Sequence, residues 1–600
     1  MQPTSSPSDD NDHVFLGVDV GSGSSRAALI TSSGNLIAIH STPFSTSRPA
    51  PDYFEQSSDE IWASICTSVK TVIALAKIDP AQVKGVGFDA TCSLVAFTSG
   101  TPGTARPVSI SPSSNFEDHN RNIIMWCDHR AKEQAIRITE TKHDILKNIG
   151  GIMSLEMELP KTIWLKDNMS QEQWKKIGRL FDLPDFLTWR ATGDYLPSRC
   201  SVVCKWCYKA GPENGESSSH VKNHGWPEDF LRQIGLGEIA DDDCQKLCGV
   251  GNAGQRVHFA GEHIGGLTER AARELGLIAG TAVGGAVIDA YAGAIGTLGA
   301  KLNGTQATVE EASKRISSIC GTSSCHLVMS GKPIFVPGRL SVWGPFHGVM
   351  LPNMWVAEGG QSSTGQLIDH LTKSHPAYSE ALKMVQTASP AVSVYEYLNQ
   401  RLEIIAQRQS LTDLAYLTKK LHMTPDHHGN RSPFADETMR GSIAGLDLNS
   451  DTVDGLAVLY LATIQALALG TRQIFAALTR QGYTIETICI SGGLSLNRVF
   501  VKVLADVTQL AVVLPGSGGD AAVVVGAAIC GAVAYESKLK GPESSMDNML
   551  WDTMARLTKA SDVVNPVKNA DLQVFYENKY RIVEKMQQHQ REYNKLMEEL

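Results

Sequence analysis

The 600-residue sequence has no long basic run, few aromatic residues (7%) and only 20% charged residues, and these shortages remove whole classes of function. With 54 Lys+Arg against 63 Asp+Glu, the formal charge is −9, which leaves no electrostatic footprint for nucleic acid. The polar, acidic stretch 1–13 lacks the basic and apolar regions of a signal or transit peptide and reads as a disordered tail. The most apolar windows, Leu456 to Leu469 and Ala521 to Ala534, fall short of the roughly 20 apolar residues of a membrane span, so both are expected as buried helices away from any membrane. Twelve cysteines without a secretory signal read as reduced thiols of a cytoplasmic protein. Cys200, Cys204 and Cys207, with Cys244 and Cys248 further on, lack the paired knuckles usual for structural zinc and read as ordinary, partly buried thiols. Neither a Walker A loop nor a G-x-G-x-x-G turn opening a helix occurs.

What is present is a balance of 42% hydrophobic residues over a length that calls for two or more packed domains. Val14 to Val20 is a β-rich run, Gly21 to Ser24 a tight turn, Ser25 to Thr31 a second strand, and Gly34-Asn35 a hairpin turn. Ser57-x-x-Glu60 predicts a capping box, opening a helix with the apolar face Ile61, Ile65, Val69 and Val72; Val83 to Asp89 returns as a strand. Thr98 to Asn120 and Gly211 to Asn223 are rich in small and polar residues and read as inserted surface loops. Past a boundary near 299–313 the opening pattern returns, with Ile319 to Val328 again setting a glycine-hydroxyl turn between β-prone runs. A long helix at Val453 to Leu478, strands at Thr487 to Ser491 and Leu510 to Leu514, a helix at Ala521 to Ala534 and a charged helix at Lys579 to Leu600 complete the chain. Two halves built alike imply a duplicated α/β architecture with a cleft between them.

Three turns could carry chemistry. Asp19 stands at a strand end before Gly21, Ser22, Gly23 and Ser24, where backbone N–H groups can converge on an anion and the carboxylate can hold hydrated Mg²⁺. A plain glycine-serine hairpin explains the same residues. Gly321-Thr322 repeats the motif in the second half, and Gly492-Gly493 with Asn497 follows a strand where an adenine ring could approach and the Asn497 amide reach it. Asp289 lies at a strand-to-helix junction among small residues; it can accept a proton from an attacking hydroxyl, or cap the helix, and the two roles are compatible.

Taken together these residues resemble the FGGY carbohydrate kinases over Val14 to about Glu536. The family's signatures look present in Leu159-Pro-Lys-Thr-Ile-Trp-Leu165 and Gly441-Ser-Ile-Ala-Gly-Leu446, with the loop His428 to Pro433 and the turn Gly518 to Ala522. The stretch Thr91-Cys-Ser-Leu-Val95 is similar to that of the D-ribulose kinases within the family, Lys205 matches the family's sugar-contacting lysine, and Glu358 stands in a matching E-x-G-Q-S turn ending at Gln361 and beyond. The resemblance implies an α/β fold of two ribonuclease H-like (actin-like ATPase) domains, with a sugar-binding domain at 14–299, a nucleotide-binding domain at 300–570 and a terminal helix at 571–600. It further implies ATP- and Mg²⁺-dependent phosphorylation of the D-ribulose 5-hydroxyl, with L-ribulose, ribitol and D-xylulose as other acceptors on the same fold. Thr91, Cys92, Ser93, Lys205, Asp289 and Glu358 would meet the sugar, with Asp289 as base. Gly21, Ser22, Gly23, Ser24, Arg26, Gly321, Thr322, Gln361, Gly492, Gly493 and Asn497 would hold the nucleotide, and Asp19 and Asp289 the metal. A non-catalytic sensor would be free to lose Asp19, Asp289 and the turns, and a chaperone ATPase would need a β-rich peptide-binding domain. Partners are then a small sugar and ATP, and a homodimer is compatible with the sequence.

Overall fold

The computed structural model describes residues 13–598, except 213–223, 250, 253–255, 303, 337–341, 387–391, 449, 542–545, 547 and 560–561. The expected tail thus lies almost wholly, and the Gly211 to Asn223 insertion mostly, outside the described residues.

The first half is built on β1 (Val14–Val20), β2 (Ser24–Thr31), β3 (Leu36–Pro43), α1 (Ser58–Ala76), β4 (Val83–Ala90), α2 (Glu158–Asn168), α3 (Arg199–Lys205), β5 (Ala282–Gly284), β6 (Val287–Ile288) and α4 (Asp289–Leu298). Its main sheet runs β3-β2-β1-β4-β5, ending on the strand His263–Gly266, with β6 also on β4. β1 is buried at every residue, as a central strand covered on both faces must be. β1 pairs antiparallel with β2 and parallel with β4, and β5 and β6 continue parallel to β4.

The second half comprises β7 (Arg315–Cys320), β8 (Ser324–Ser330), β9 (Trp343–His347), β10 (Trp355–Gln361), α5 (Val453–Arg480), β11 (Thr487–Ser491), α6 (Arg498–Thr508), β12 (Ala511–Val513), α7 (Ala522–Lys540) and α8 (Ala570–Glu598). Here the order is β9-β10-β8-β7-β11-β12, closed by Val563–Val564. β10, β8 and β7 are antiparallel neighbours, whereas β7, β11 and β12 are parallel. This repeats β3-β2-β1-β4-β5 strand for strand, so the duplication expected from the two glycine turns is real.

Chain order and layer part company at α7. Although it follows the second sheet, α7 packs on β1 and β4 of the first and against α4. Small residues make this possible: a Cβ on Gly17 would lie 2.0 Å from the Val524 carbonyl oxygen, and one on Gly87 1.9 Å from that of Ala527. α5 and α7 are long and apolar enough to cross a membrane by length and composition, but 83% and 72% of their apolar windows are buried inside the protein. Both therefore run longer than the apolar windows suggest, and both form core.

Three local expectations change. Ser57 accepts a hydrogen bond from the Glu60 N–H, but the Glu60 carboxylate takes the N–H and hydroxyl of Ser45 instead of completing the capping box. The segment 98–120 is not wholly surface loop, because Ala105, Val108 and Ile110 are buried and Val108 N–H donates to the Ala96 carbonyl. The terminal helix starts at Ala570, one residue before the expected 571–600 segment and nine before the charged stretch at Lys579, and it buries Leu572, Tyr576 and Val583 in the second core. Lys579 is buried there too, donating to the carbonyls of Thr418 and Leu421.

Candidate active site

Parallel strands with helices on both faces gather ligands at their carboxyl ends, and the register puts three acids there. Asp19 of β1 is the pairing partner of Asp89 of β4, and Asp89 in turn pairs with Val287 of β6, two residues before Asp289. Asp89 is fully buried, and no N–H or hydroxyl donor reaches either of its oxygens. Burial, then the charges of Asp19 and Asp289, push its carboxyl well above the usual range. Burial also raises the Asp19 carboxyl, against Arg26, whose Nη1 is 3.8 Å away. Asp289 is pushed up to about 7, first by burial and then by Asp19, while its Oδ1 accepts the Ala290 N–H at 2.7 Å.

A second cluster adjoins the first and spans the two halves. Lys205, at the end of α3, lies 3.9 Å from Glu358 of β10, with both side chains 3% exposed. Burial opposes the Lys205 charge, while the neighbouring Cys92, Glu358 and Glu156 act against burial, and the net shift of the ammonium is upward. The Cys92 thiol is pushed far up by burial and stays neutral. Asp182 Oδ1 accepts the Ser93 N–H at 2.9 Å and so fixes the Thr91-Cys92-Ser93 turn. In this turn the hydroxyls of Thr91 and Ser93 are buried without hydrogen-bond partners, as are the Trp206 indole N–H, next to Lys205 in the chain, and Glu358 Oε2, paired with that lysine. Each orphan costs about 1–3 kcal/mol unless a ligand satisfies it.

The glycine turns sit where the sequence places them. Gly21 N–H donates to the Ser24 carbonyl; the Ser22 carbonyl accepts from Gln56 at 2.8 Å, its hydroxyl from Trp126 at 3.0 Å, and the Gly23 carbonyl from the Phe44 N–H. Across the cleft the Gly321 and Thr322 carbonyls are taken up by the N–H groups of Gly365, Thr364 and Gln366, which fixes that turn's shape. Gly492 has φ +84°, and a Cβ there would meet the Cys320 carbonyl oxygen at 2.5 Å, so only glycine lets these two turns pack together. Arg26 bridges the halves by donating to the Asp520 carbonyl at 2.5 Å.

Two expected nucleotide ligands also serve the fold. Asn497 caps α6 through Oδ1, which accepts from Val499 and Phe500, and its Nδ2 donates to the Tyr460 hydroxyl at 2.6 Å. The Gln361 amide donates to the Leu467 carbonyl and accepts from Thr471, tying β10 to α5. Each amide keeps one further N–H beyond these bonds.

The model for the FGGY family of carbohydrate kinases, N-terminal domain, matches residues 14–98, and the model for its C-terminal domain matches residues 316–535. An FGGY carbohydrate kinase domain-containing protein of Homo sapiens is 43% identical over 589 residues, covering 98% of each chain. The chain belongs to the FGGY family of carbohydrate kinases. This FGGY kinase is also 39% identical over 558 residues to the D-ribulokinase of Saccharomyces cerevisiae, across 90% of this chain and 75% of that one. A ligand-bound xylulose kinase of Lactobacillus acidophilus shares the fold, with a TM-score of 0.70 at 14% identity over 96% of this chain and 98% of that one. Members of the family use ATP as phosphoryl donor.

Among the described residues of this kinase no group of three or more His, Cys, Asp or Glu is gathered closely enough to hold a metal ion unaided. The carboxylates at the strand ends nevertheless fit Mg²⁺, which keeps most of its water and needs one or two carboxylates alongside substrate phosphates. Sequence reading had passed over Asp89, Glu156, Asp182, Trp126 and Trp343. Asp89 alone left a signal, an acid in an apolar strand two residues before Thr91; the others are distant in sequence and meet only through the fold.

Proposed function

We propose that this protein transfers the γ-phosphoryl group of ATP to the terminal 5-hydroxyl of D-ribulose, giving D-ribulose 5-phosphate and ADP. The observation that carries the reading is the set of orphaned buried polar groups around the Lys205–Glu358 pair, next to Asp289. A polyhydroxyl ligand supplies the missing partners, which water-free apolar packing cannot. The likeness to a D-ribulokinase along nearly the whole chain supports the choice of pentulose.

In this reading Thr91, Cys92, Ser93, Lys205 and Glu358 hold the sugar in the domain interface, at 14–299 and the facing edge of 300–570. Asp289 accepts the 5-hydroxyl proton as that oxygen bonds to the γ-phosphorus and the bond to the β-phosphate oxygen breaks, its electrons leaving with ADP. A carboxyl poised near 7 suits such a base at neutral pH. In the turns Gly21 to Ser24 and Gly321-Thr322 the Gly21 and Gly321 N–H groups close the turns themselves, and the remaining N–H groups and hydroxyls serve the phosphates from opposite sides, while Arg26 keeps the first turn in place and Gly492-Gly493 gives a flat backbone for adenosine. Mg²⁺ held at Asp19 and Asp289 would supply neutralising charge for the phosphates.

Steady-state turnover with D-ribulose, L-ribulose, D-xylulose and ribitol under one ADP-release assay tests the reading. D-ribulose is expected to give the highest kcat/KM; a higher value for any other acceptor replaces it. Lys205→Ala should raise KM for the sugar far more than for ATP, and equal losses would make Lys205 structural.

A further inference from the structure

One residue touches acids of both halves and is used by none of the chemistry above. Arg431 lies in the loop 427–433 of the second half, with its side chain 9% exposed. Its Nη2 donates to Glu358 Oε1 at 2.8 Å and forms an ion pair with Glu156 Oε2 of the first half at 3.4 Å. The guanidinium also lies 4.5 Å from the centroid of the Trp343 ring, and Lys205 Nζ stands the same distance from that ring. Three residues earlier in the loop, His428 stacks on His129 of the first half at 6.2 Å, so the loop meets the opposite half at two points.

The strand beneath Arg431 leads to the nucleotide turn. A Cβ on Gly360 would lie 3.2 Å from Arg431 Nη1, so a glycine lets the guanidinium rest on β10, and Gly360 N–H donates to Ser432 Oγ. β10 then pairs Gln361 with Ser324, the residue that closes the Gly321-Thr322 turn. Glu358, Arg431 and that turn therefore belong to one short hydrogen-bonded stretch.

We infer that Arg431 is a positioning residue that ties the sugar pocket to the first half through Glu156 and transmits pentulose binding to the phosphate turn through β10. The inference rests on the pentulose reading above. The chain Glu156–Arg431–Glu358–Lys205 already joins the halves with both its ends in the first, so sugar that engages Lys205 and Glu358 stabilises this arrangement and, through β10, the shape of the phosphate turn. Glu156 is the informative partner, because its removal breaks the bridge without stripping Glu358 of Arg431.

The test measures the affinity of the full chain for a non-hydrolysable ATP analogue with and without saturating D-ribulose. In the wild type the sugar should tighten the analogue by about fivefold or more, the usual lower end of such coupling. In Glu156→Gln the analogue should bind as in wild type without sugar, and the tightening should fall to about twofold or less. Arg431→Met should lose the tightening as well and raise KM for the sugar, with Arg431→Lys recovering part of it because a cation remains. Coupling of wild-type size in both Glu156→Gln and Arg431→Met overturns the role of Arg431 and leaves the substrate assignment standing. A wild-type protein that binds no D-ribulose overturns the substrate assignment, and this coupling with it.

Discussion

The two sheets share strand order, yet residues at matching positions differ in charge. In the first, Asp19 stands two residues before Gly21 and pairs with Asp89; in the second, Ile319 stands two residues before Gly321 and pairs with Ser491. One strand-end pair is thus two carboxyls and the other is apolar and hydroxyl. A phosphoryl group carries several negative charges, so a second acidic wall would repel the nucleotide that the first must meet through a cation. The duplicated topology supplies two equivalent cradles, and on the reading proposed above their difference in side-chain charge would let one handle protons and metal and the other hold the nucleotide through its backbone.

The largest expected effect breaks the acidic side. Asp289→Asn should lower turnover by roughly two orders of magnitude or more, the scale of a lost general base, while nucleotide binding persists. Activity within a few-fold of wild type would remove Asp289 from that role.

A subtler change sharpens the same side. Asp289 is raised to about 7 with Asp19 as its second cause after burial, and it must be unprotonated to take a proton. Activity should therefore fall as pH drops through about 7. Asp19→Asn removes a neighbouring negative charge, so in the residual activity the midpoint of kcat/KM against pH should move to lower pH. An unmoved midpoint would mean that the two carboxyls do not sense each other.

The smallest effect belongs to the neutral side. If the second half works through its backbone, as proposed, and Asn497 serves mainly to cap α6, Asn497→Ala should cost about 1 kcal/mol in thermal unfolding and leave KM for ATP nearly unchanged. A large rise in KM would return the amide to the nucleotide.

Much of this was legible in the chain. Strand alternation and glycine turns are local, and β1, the β1–β2 turn, β11 and the start of α5 lie where the residue pattern puts them. Asp289 at a helix start was legible for the same reason. The structural duties of Asn497 and Gln361 were not legible, because a free amide and one that also serves a cap or a neighbouring helix look alike in sequence. Glu60 carried the capping-box spacing, but Ser45, fifteen residues away, offered two better donors.

The sequence by itself determined the two-half plan, the acids and the glycine turns, because these follow from backbone preferences and short-range patterns. Only the tertiary structure decided that α7 crosses to the first sheet, that Asp89 stands between Asp19 and Asp289, and that Arg431 meets Glu156 across the cleft. Those contacts join residues tens to hundreds of positions apart, and what selects them is the packing of small residues at Gly17 and Gly87 and the register of parallel strands, which no local window contains.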